Sequence, residues 1–211
     1  MNLCDIDQIK ALLARHGFRF SKSMGQNFLI QPWVPRDIAC SSGAGSGKGV
    51  LEIGPGIGPL TRELSLLADQ VVSVELDRSL LPILTETLGD RDNVEIVSGD
   101  ILKLDIPSLV RERFQGLEPI ACANLPYNIT TPAITALLDA GCFSSITIMI
   151  QREVARRICA TPGSGDYGAF SVYCQYHAET ELLFDVPPDC FLPAPKVTSA
   201  VLRMTPRPAP A

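Results

Sequence analysis

Short apolar runs alternating with helix-like stretches constrain this chain more than any other feature. Residues 49–53, 71–76, 94–97, 120–123 and 146–150 are short runs, most of them rich in β-branched side chains, and read as strands. Helix-like stretches lie between them at 59–68, 78–88, 107–114 and 131–139. A strand that reaches the next strand through a helix pairs with it in parallel, and such crossovers place helices on both faces of one sheet. Residues 178–186 and 197–204, separated by the proline-rich turn 185–195, read as a closing antiparallel pair. The expectation is an α/β fold with a mainly parallel seven-stranded sheet and an antiparallel last strand. In such sheets ligands sit beyond the carboxyl ends of the strands, and chemistry is to be sought there.

The length of 211 residues and the 46% hydrophobic content suit one large domain with a sizeable core. Seven cysteines at 4, 40, 122, 142, 159, 174 and 190 form no C-x-x-C pair, which argues against a disulfide framework or a zinc site and for reduced packing residues. No apolar run approaches the ~20 residues of a membrane span, and the N-terminus has no apolar signal core. A cytoplasmic protein with no membrane partner and no metal is expected. The net charge of -5 is unevenly spread: residues 1–36 carry +3, residues 37–150 carry -8, and residues 151–211 balance. A polyanion would therefore meet the ends of the chain rather than its middle.

Two glycine-rich stretches compete for a ligand. GAGSGKG at 43–49 resembles a phosphate loop, but that pattern needs glycine at 42, where Ser42 stands, and Ser or Thr at 49, where Gly49 stands; it also precedes its strand. It reads as a flexible loop. EIGPGIGPLT at 52–61 follows the first strand and enters a helix. Its Gly54 and Gly56 let a ligand approach the backbone without meeting a side chain, although Pro59 breaks the dinucleotide fingerprint. Glu75 ends the second strand, where a carboxylate can accept both hydroxyls of a ribose. Its neighbour Asp77 reads as a cap for the next helix. Asp100 follows the third strand, where it can accept from an adenine amine. Each acid alone is equally a cap or a surface charge. A glycine loop, Glu and Asp in order on three strand ends point together to a nucleoside.

These residues resemble the S-adenosylmethionine-dependent methyltransferases, and among them the family of ribosomal RNA adenine dimethyltransferases that modify the small-subunit RNA. The resemblance rests on GQNFL at 25–29, LEIGPGIGPLT at 51–61, VELD at 74–77, GDIL at 99–102, NLPYNITTP at 124–132, QREVA at 151–155 and FLPAPKVTS at 191–199. It implies a Rossmann-like class I methyltransferase using S-adenosyl-L-methionine, with S-adenosyl-L-homocysteine as product. It further implies that Asn27 and Leu29 cover the cofactor, that the loop at Gly54 passes its methionine part, and that Glu75, Asp100 and Asn124 hold ribose, adenine and the methyl-donor end.

The tetrapeptide Asn124, Leu125, Pro126, Tyr127 then acquires a chemical reason. The exocyclic nitrogen of adenine is a poor nucleophile because its lone pair is delocalised into the ring. Hydrogen-bond acceptors on the Asn124 side chain and the Leu125 carbonyl would pyramidalise it and aim the pair at a methyl group. Pro126 has no N–H to compete and biases Leu125 towards an extended conformation. Tyr127 offers a stacking face worth about 1–3 kcal/mol per base, and Phe191 is the candidate second face. The alternative is a plain turn after a buried strand for the tetrapeptide and a core residue for Phe191. A target base must be unpaired or flipped to reach such a pocket. Neither His16 nor His177 sits in a motif, and none is required.

Lys10, Arg15, Arg19 and Lys22, with Arg152, Arg156 and Arg157, are candidate phosphate contacts, although the spacing of Arg152 and Arg156 also suits ion pairs on a helix surface. The chain divides on this reading into a cap segment 1–36, a methyltransferase domain 37–206, and a tail 207–211 leading to a small helical domain that family members usually carry. The expected activity is dimethylation of two adjacent adenosines in small-subunit ribosomal RNA, by a monomer acting on an immature subunit. A resistance-type enzyme of large-subunit RNA, or a ribosome-assembly binding factor with secondary catalysis, are the alternatives.

Overall fold

The computed structural model describes residues 1–21 and 25–207. Lys22 and the tail residues 208–211 of the sequence reading lie outside the described residues. The strands are β1 (Phe28–Leu29), β2 (Lys48–Ile53), β3 (Gln70–Glu75), β4 (Val94–Ser98), β5 (Glu118–Asn124), β6 (Ile146–Gln151), β7 (Ala178–Val186), β8 (Phe191–Leu192) and β9 (Ser199–Pro206). The helices are α1 (Ile6–Arg15), α2 (Trp33–Ser41), α3 (Pro59–Leu67), α4 (Leu81–Leu88), α5 (Ile106–Arg113), α6 (Thr130–Asp139), α7 (Arg152–Ile158) and α8 (Ala169–His177).

Seven strands form one sheet in the order β4-β3-β2-β5-β6-β9-β7. All neighbours from β4 to β6 are parallel, and β9 is antiparallel to both β6 and β7. The last strand thus fills the gap between β6 and β7 instead of adding at the edge. A second, two-stranded sheet pairs β1 with β8, setting Leu29 opposite Phe191.

Central strands are covered on both sides, which is why β2 and β3 are buried along nearly their whole length and read as apolar runs. One face carries Leu51, Val72, Ala121 and Ile148 into a core with α5, α6, α7 and α8. The other carries Val50, Val71, Ile120 and Met149 against α2 and α3. Side chains buried in this way contribute about 1.5–3 kcal/mol each. The carboxyl ends of β2, β3, β4 and β5 emerge on one edge.

Two helices have weak sequence signals. Pro35 stands inside α2, where the first turn tolerates it because its N–H has no intrahelical partner. The α8 sequence AFSVYCQYH consists mainly of poor helix formers, and the helix is held by packing, with Cys174 in the core. Position 36, the boundary of the cap segment, lies within α2, whose Val34 and Ile38 pack with the sheet.

The GAGSGKG stretch is a connection into β2. Gly47 N–H donates to Asp69 at 2.9 Å, and any side chain at Gly49 would collide with the Phe114 ring. The N-terminal helix α1 is capped by Asp5, which accepts from Gln8 N–H at 2.9 Å. Its Ile9, Leu12 and Leu13 pack with Ile57, Leu80, Ile83 and Leu84. Arg15 and His16 both meet Glu86 of α4, His16 Nε2 at 2.6 Å from Glu86 Oε2.

Candidate active site

Beyond the carboxyl ends of β2 to β5 lies one cleft. Asn27, Leu29, Gly54, Gly56, Glu75, Asp100, Asn124, Leu125, Pro126, Tyr127 and Phe191 all line it. The structure therefore brings together every residue singled out for the cofactor or the target base, from segments as far apart as 27 and 191.

The loop after β2 makes the floor. Gly54 N–H donates to Val74 O at 2.9 Å, so the chain follows β3 briefly before turning away. Gly54 and Gly56 have φ of +66° and +61°, which side chains adopt with strain. A Cβ on Gly54 would project towards Pro126 at 3.7 Å, and one on Gly56 would lie 3.3 Å from the Phe28 ring. Side chains there would occupy the approach between the loop and its two covers. The helix α3 then starts at Pro59.

Glu75 at the end of β3 is 6% exposed. Burial raises its carboxyl from 4.5 to about 7, against the opposing backbone N–H groups of Asp77, Gly56 and Leu76. The Asp77 N–H donates to Glu75 Oε1 at 2.7 Å. Asp77 is a cap, accepting from the N–H and hydroxyl of Ser79 at 2.9 and 2.6 Å. It also accepts from Gln26 Nε2 at 2.6 Å, which ties the segment before β1 to the end of β3. Asp100 is half-buried. Its Oδ1 accepts from Leu102 N–H at 3.1 Å, and its Oδ2 lies 3.6 Å from Lys103 Nζ.

Beneath the loop lies a third carboxylate that the sequence reading did not single out. Glu52 is 1% exposed, and its Oε2 accepts from Thr61 Oγ1 of α3 and Ser73 Oγ of β3, both at 2.6 Å. Burial raises it to about 7 as well, opposed by those two hydroxyls. Its position one residue inside an apolar run was the available signal, because a carboxylate alternating with Val50 and facing α3 has to be paired.

Asn124 ends β5 opposite Met149, and the Leu125 N–H continues the ladder to Met149 O at 3.1 Å. The Leu125 side chain is buried in the core, which fixes the backbone of the tetrapeptide. Pro126 leads into a 3-10 turn at Tyr127–Ile129, followed directly by α6. Tyr127 is half-buried, and its hydroxyl lies 2.7 Å from Ser199 Oγ.

Of the two expected stacking residues, Phe191 is the more deeply set. It lines the cleft but is only 3% exposed, belongs to the core with Leu29, Cys190 and Val201, and is held in β8. In this arrangement it forms part of the cleft wall. Asn27 is half-buried and its Nδ2 donates to Gly25 O at 3.2 Å, whereas Leu29 is core. Gln26, Phe28, Ile57, Leu76 and Ile101 are among the further lining residues that were given no role from the sequence.

Among the described residues, the bases expected at phosphates lie outside the cleft lining. Arg15 is held by Glu86, Arg152 lies 3.3 Å from Asp185, and Arg157 is 3.2 Å from Glu153 one turn earlier. His177 packs against Tyr173 and Tyr176. Among the described residues, no group of three or more His, Cys, Asp or Glu is arranged to hold a metal ion, and no helix is long and apolar enough to cross a membrane.

An apolar-walled cleft lined also by Glu52, Glu75, Asp77 and Asp100 suits a ligand with hydroxyl donors and cationic centres. The open glycine backbone and the buried Glu75 fit S-adenosylmethionine on both counts.

Residues 17–211 match the sequence model of a family described as ribosomal RNA adenine dimethylase. The chain is 46% identical over 196 residues to the ribosomal RNA small subunit methyltransferase A of Alkaliphilus oremlandii, covering 92% of this chain and 68% of that one. It is 46% identical over 207 residues to the protein of the same name in Clostridium perfringens, covering 97% and 72%. Among solved structures, the 23S rRNA methyltransferase ErmE superposes with a TM-score of 0.74 at 34% identity, over 87% of this chain and 71% of that one. A dimethyladenosine transferase from Plasmodium falciparum gives 0.74 at 27% identity, over 85% and 63%. The fold is that of the class I methyltransferases.

Proposed function

The chain belongs to the ribosomal RNA adenine dimethylase family, and from that premise we propose that it transfers methyl groups from S-adenosylmethionine to the N6 amines of two adjacent adenosines in small-subunit ribosomal RNA. The observation that carries this reading is the convergence of Glu75, Asp100 and the Asn124 tetrapeptide on one cleft.

Glu75 would accept the ribose hydroxyls, Asp100 the adenine amine, and Asn27 and Leu29 would close the cofactor in from the N-terminal side. When bound, the cofactor supplies an electrophilic methyl carbon on a sulfonium. The Asn124 side-chain oxygen and the Leu125 carbonyl accept the two hydrogens of the target amine, which localises the nitrogen lone pair in the direction of that methyl. Tyr127 stacks on the flipped base. The nitrogen that receives the methyl group would become cationic and release its proton to water, while Asn124 and Leu125 hold it in line. Asn124 and Leu125 therefore act by orientation and not as bases, in keeping with histidines that lie outside the cleft lining. The protein would work in the cytoplasm as a monomer on an immature small subunit.

ErmE, a 23S rRNA methyltransferase, favours a second reading in which the same chemistry is applied to large-subunit RNA. Incubation with labelled cofactor and either immature small subunits or large-subunit RNA separates the two. Label in the small-subunit RNA, released as dimethyladenosine, is the expected result. Label confined to the large-subunit RNA would transfer the activity to the second reading.

A further inference from the structure

The segment FLPAPKVTS at 191–199 has no role in the chemistry above apart from Phe191, yet its last residue touches the target-binding turn. We propose that Ser199 is a positioning residue for methyl transfer, holding the Tyr127 ring where the target base stacks through the hydrogen bond between their hydroxyls. The inference rests on the functional reading above and deepens it.

The bond spans 72 positions in the sequence and measures 2.7 Å. Ser199 is well suited to be its fixed end. It is 0% exposed and opens β9, where it is paired with Gln151 on one side and Val186 on the other. The neighbouring Thr198 carbonyl accepts from Arg152 N–H at 3.0 Å, so the strand entry is held on its backbone as well. Tyr127 is the adjustable end, half-buried at the start of a single 3-10 turn.

A phenol oxygen lies on the axis about which the ring spins. A hydrogen bond at that atom leaves the spin free but stops the ring swinging about its first side-chain torsion, and that swing is what would move the ring centre across the cleft. Tyr127 follows Leu125 by two residues, so a displaced ring carries the stacked base away from the two acceptors that must hold its amine. Geometry errors of about 1 Å at this point cost up to ~100-fold in rate. Burial raises the Tyr127 phenol above its usual range, with the Ser199 bond opposing, so it remains a neutral partner near pH 7.

The test compares Ser199→Ala, Tyr127→Phe and the double variant in the full chain, with small-subunit RNA and adenosylhomocysteine as probes. Each single change is expected to lower kcat about tenfold while the adenosylhomocysteine Kd stays within about twofold, and the double variant should be no slower than the slower single, because both remove one bond. A purely structural role for Ser199 would instead shift cofactor affinity along with rate. Wild-type kcat in either single variant, or losses that multiply in the double, would overturn the proposal. Should Ser199→Ala fail to fold, Tyr127→Phe still decides, since it removes the same bond from the half-exposed side. A wild type that binds adenosylhomocysteine but methylates no RNA overturns the functional reading itself, a result distinct from a fully active Ser199→Ala.

Discussion

On the cofactor side of the cleft, the functional groups are held by their own neighbours. Glu75 is bonded by the Asp77 N–H two residues later, Asp100 by the Leu102 N–H two residues later, and Gly54 by the adjacent strand. On the target side the walls are assembled across the chain: Tyr127 is fixed by Ser199, and Phe191 of β8 is held by pairing with the distant strand β1. The first arrangement follows from where parallel strands end. The second requires β9 to thread between β6 and β7 before Ser199 can meet Tyr127. The cofactor half should therefore tolerate loss of long-range contacts, and the target half should not.

The largest expected effect tests whether the halves separate at all. Asn124→Ala removes one of the two acceptors for the target amine and should lower kcat by about 10²–10³-fold. Adenosylhomocysteine affinity, measured by calorimetry, should change by only a few-fold, even though Asn124 also lines the cofactor part of the cleft. Loss of both properties together would show that Asn124 belongs to the cofactor half. If the variant also continues to support subunit assembly, a binding role exists apart from catalysis.

Next in size is Glu75→Ala, which should weaken adenosylhomocysteine by about 10–100-fold, the value of ~1.5–3 kcal/mol for hydrogen bonds to a charged group. The wild type should show the same dependence through pH. Burial holds Glu75 at about 7, and only the ionised carboxylate accepts both hydroxyls. Affinity should thus be constant well above pH 7 and weaken as pH falls through 7, with protons released on binding in that range. An affinity flat from pH 6 to 8 would remove Glu75 from the ribose.

The same asymmetry governs what was legible in the sequence. Gly54, Glu75 and Asp100 were readable because a strand end, a turn and a carboxylate occupy successive positions. Asn27 and Leu29 came from family resemblance, since nothing local marks a two-residue strand, and Phe191 is set into the wall by the pairing of its strand β8 with β1. Glu52 was visible as a residue and opaque as a role: its partners Thr61 and Ser73 lie on another helix and another strand. The placement of β9 was equally hidden, because an antiparallel pairing of 178–186 with a final strand is satisfied at the sheet edge or inside it.

Glu52 supplies the third prediction, on stability. Its folded value of about 7 exceeds the ordinary 4.5, so the folded state keeps a proton that the unfolded chain releases between those values. The stability of the neutral form is complete below about 4.5 and is lost as pH rises through 7. Denaturant unfolding should show stability falling between pH 5 and 8 through both Glu52 and the equally raised Glu75, and Glu52→Gln should remove its own share of about 1–3 kcal/mol from that fall. An equal slope in both proteins would place the proton elsewhere.

The smallest expected effect comes from a long-range side-chain bond in the cofactor half. Gln26 Nε2 donates to Asp77 Oδ2 at 2.6 Å and latches the segment before β1 to the end of β3. Asp77 keeps its two Ser79 bonds without it, and the segment keeps its apolar hold, with Phe28 against Gly56 and within a cluster with Phe18 and Phe20 at 5.8 and 5.2 Å between ring centres. Gln26→Ala should therefore remove only ~0.5–1.5 kcal/mol, a loss of about two- to tenfold in adenosylhomocysteine affinity. It should appear mainly as faster release, because the loss of a single contact is felt chiefly in dissociation. The methylation rate at saturating cofactor should be unchanged, because neither Asn124 nor Tyr127 depends on the latch. A loss approaching that of Glu75→Ala would mean that the cofactor half is as dependent on distant contacts as the target half, and the contrast between them would fail.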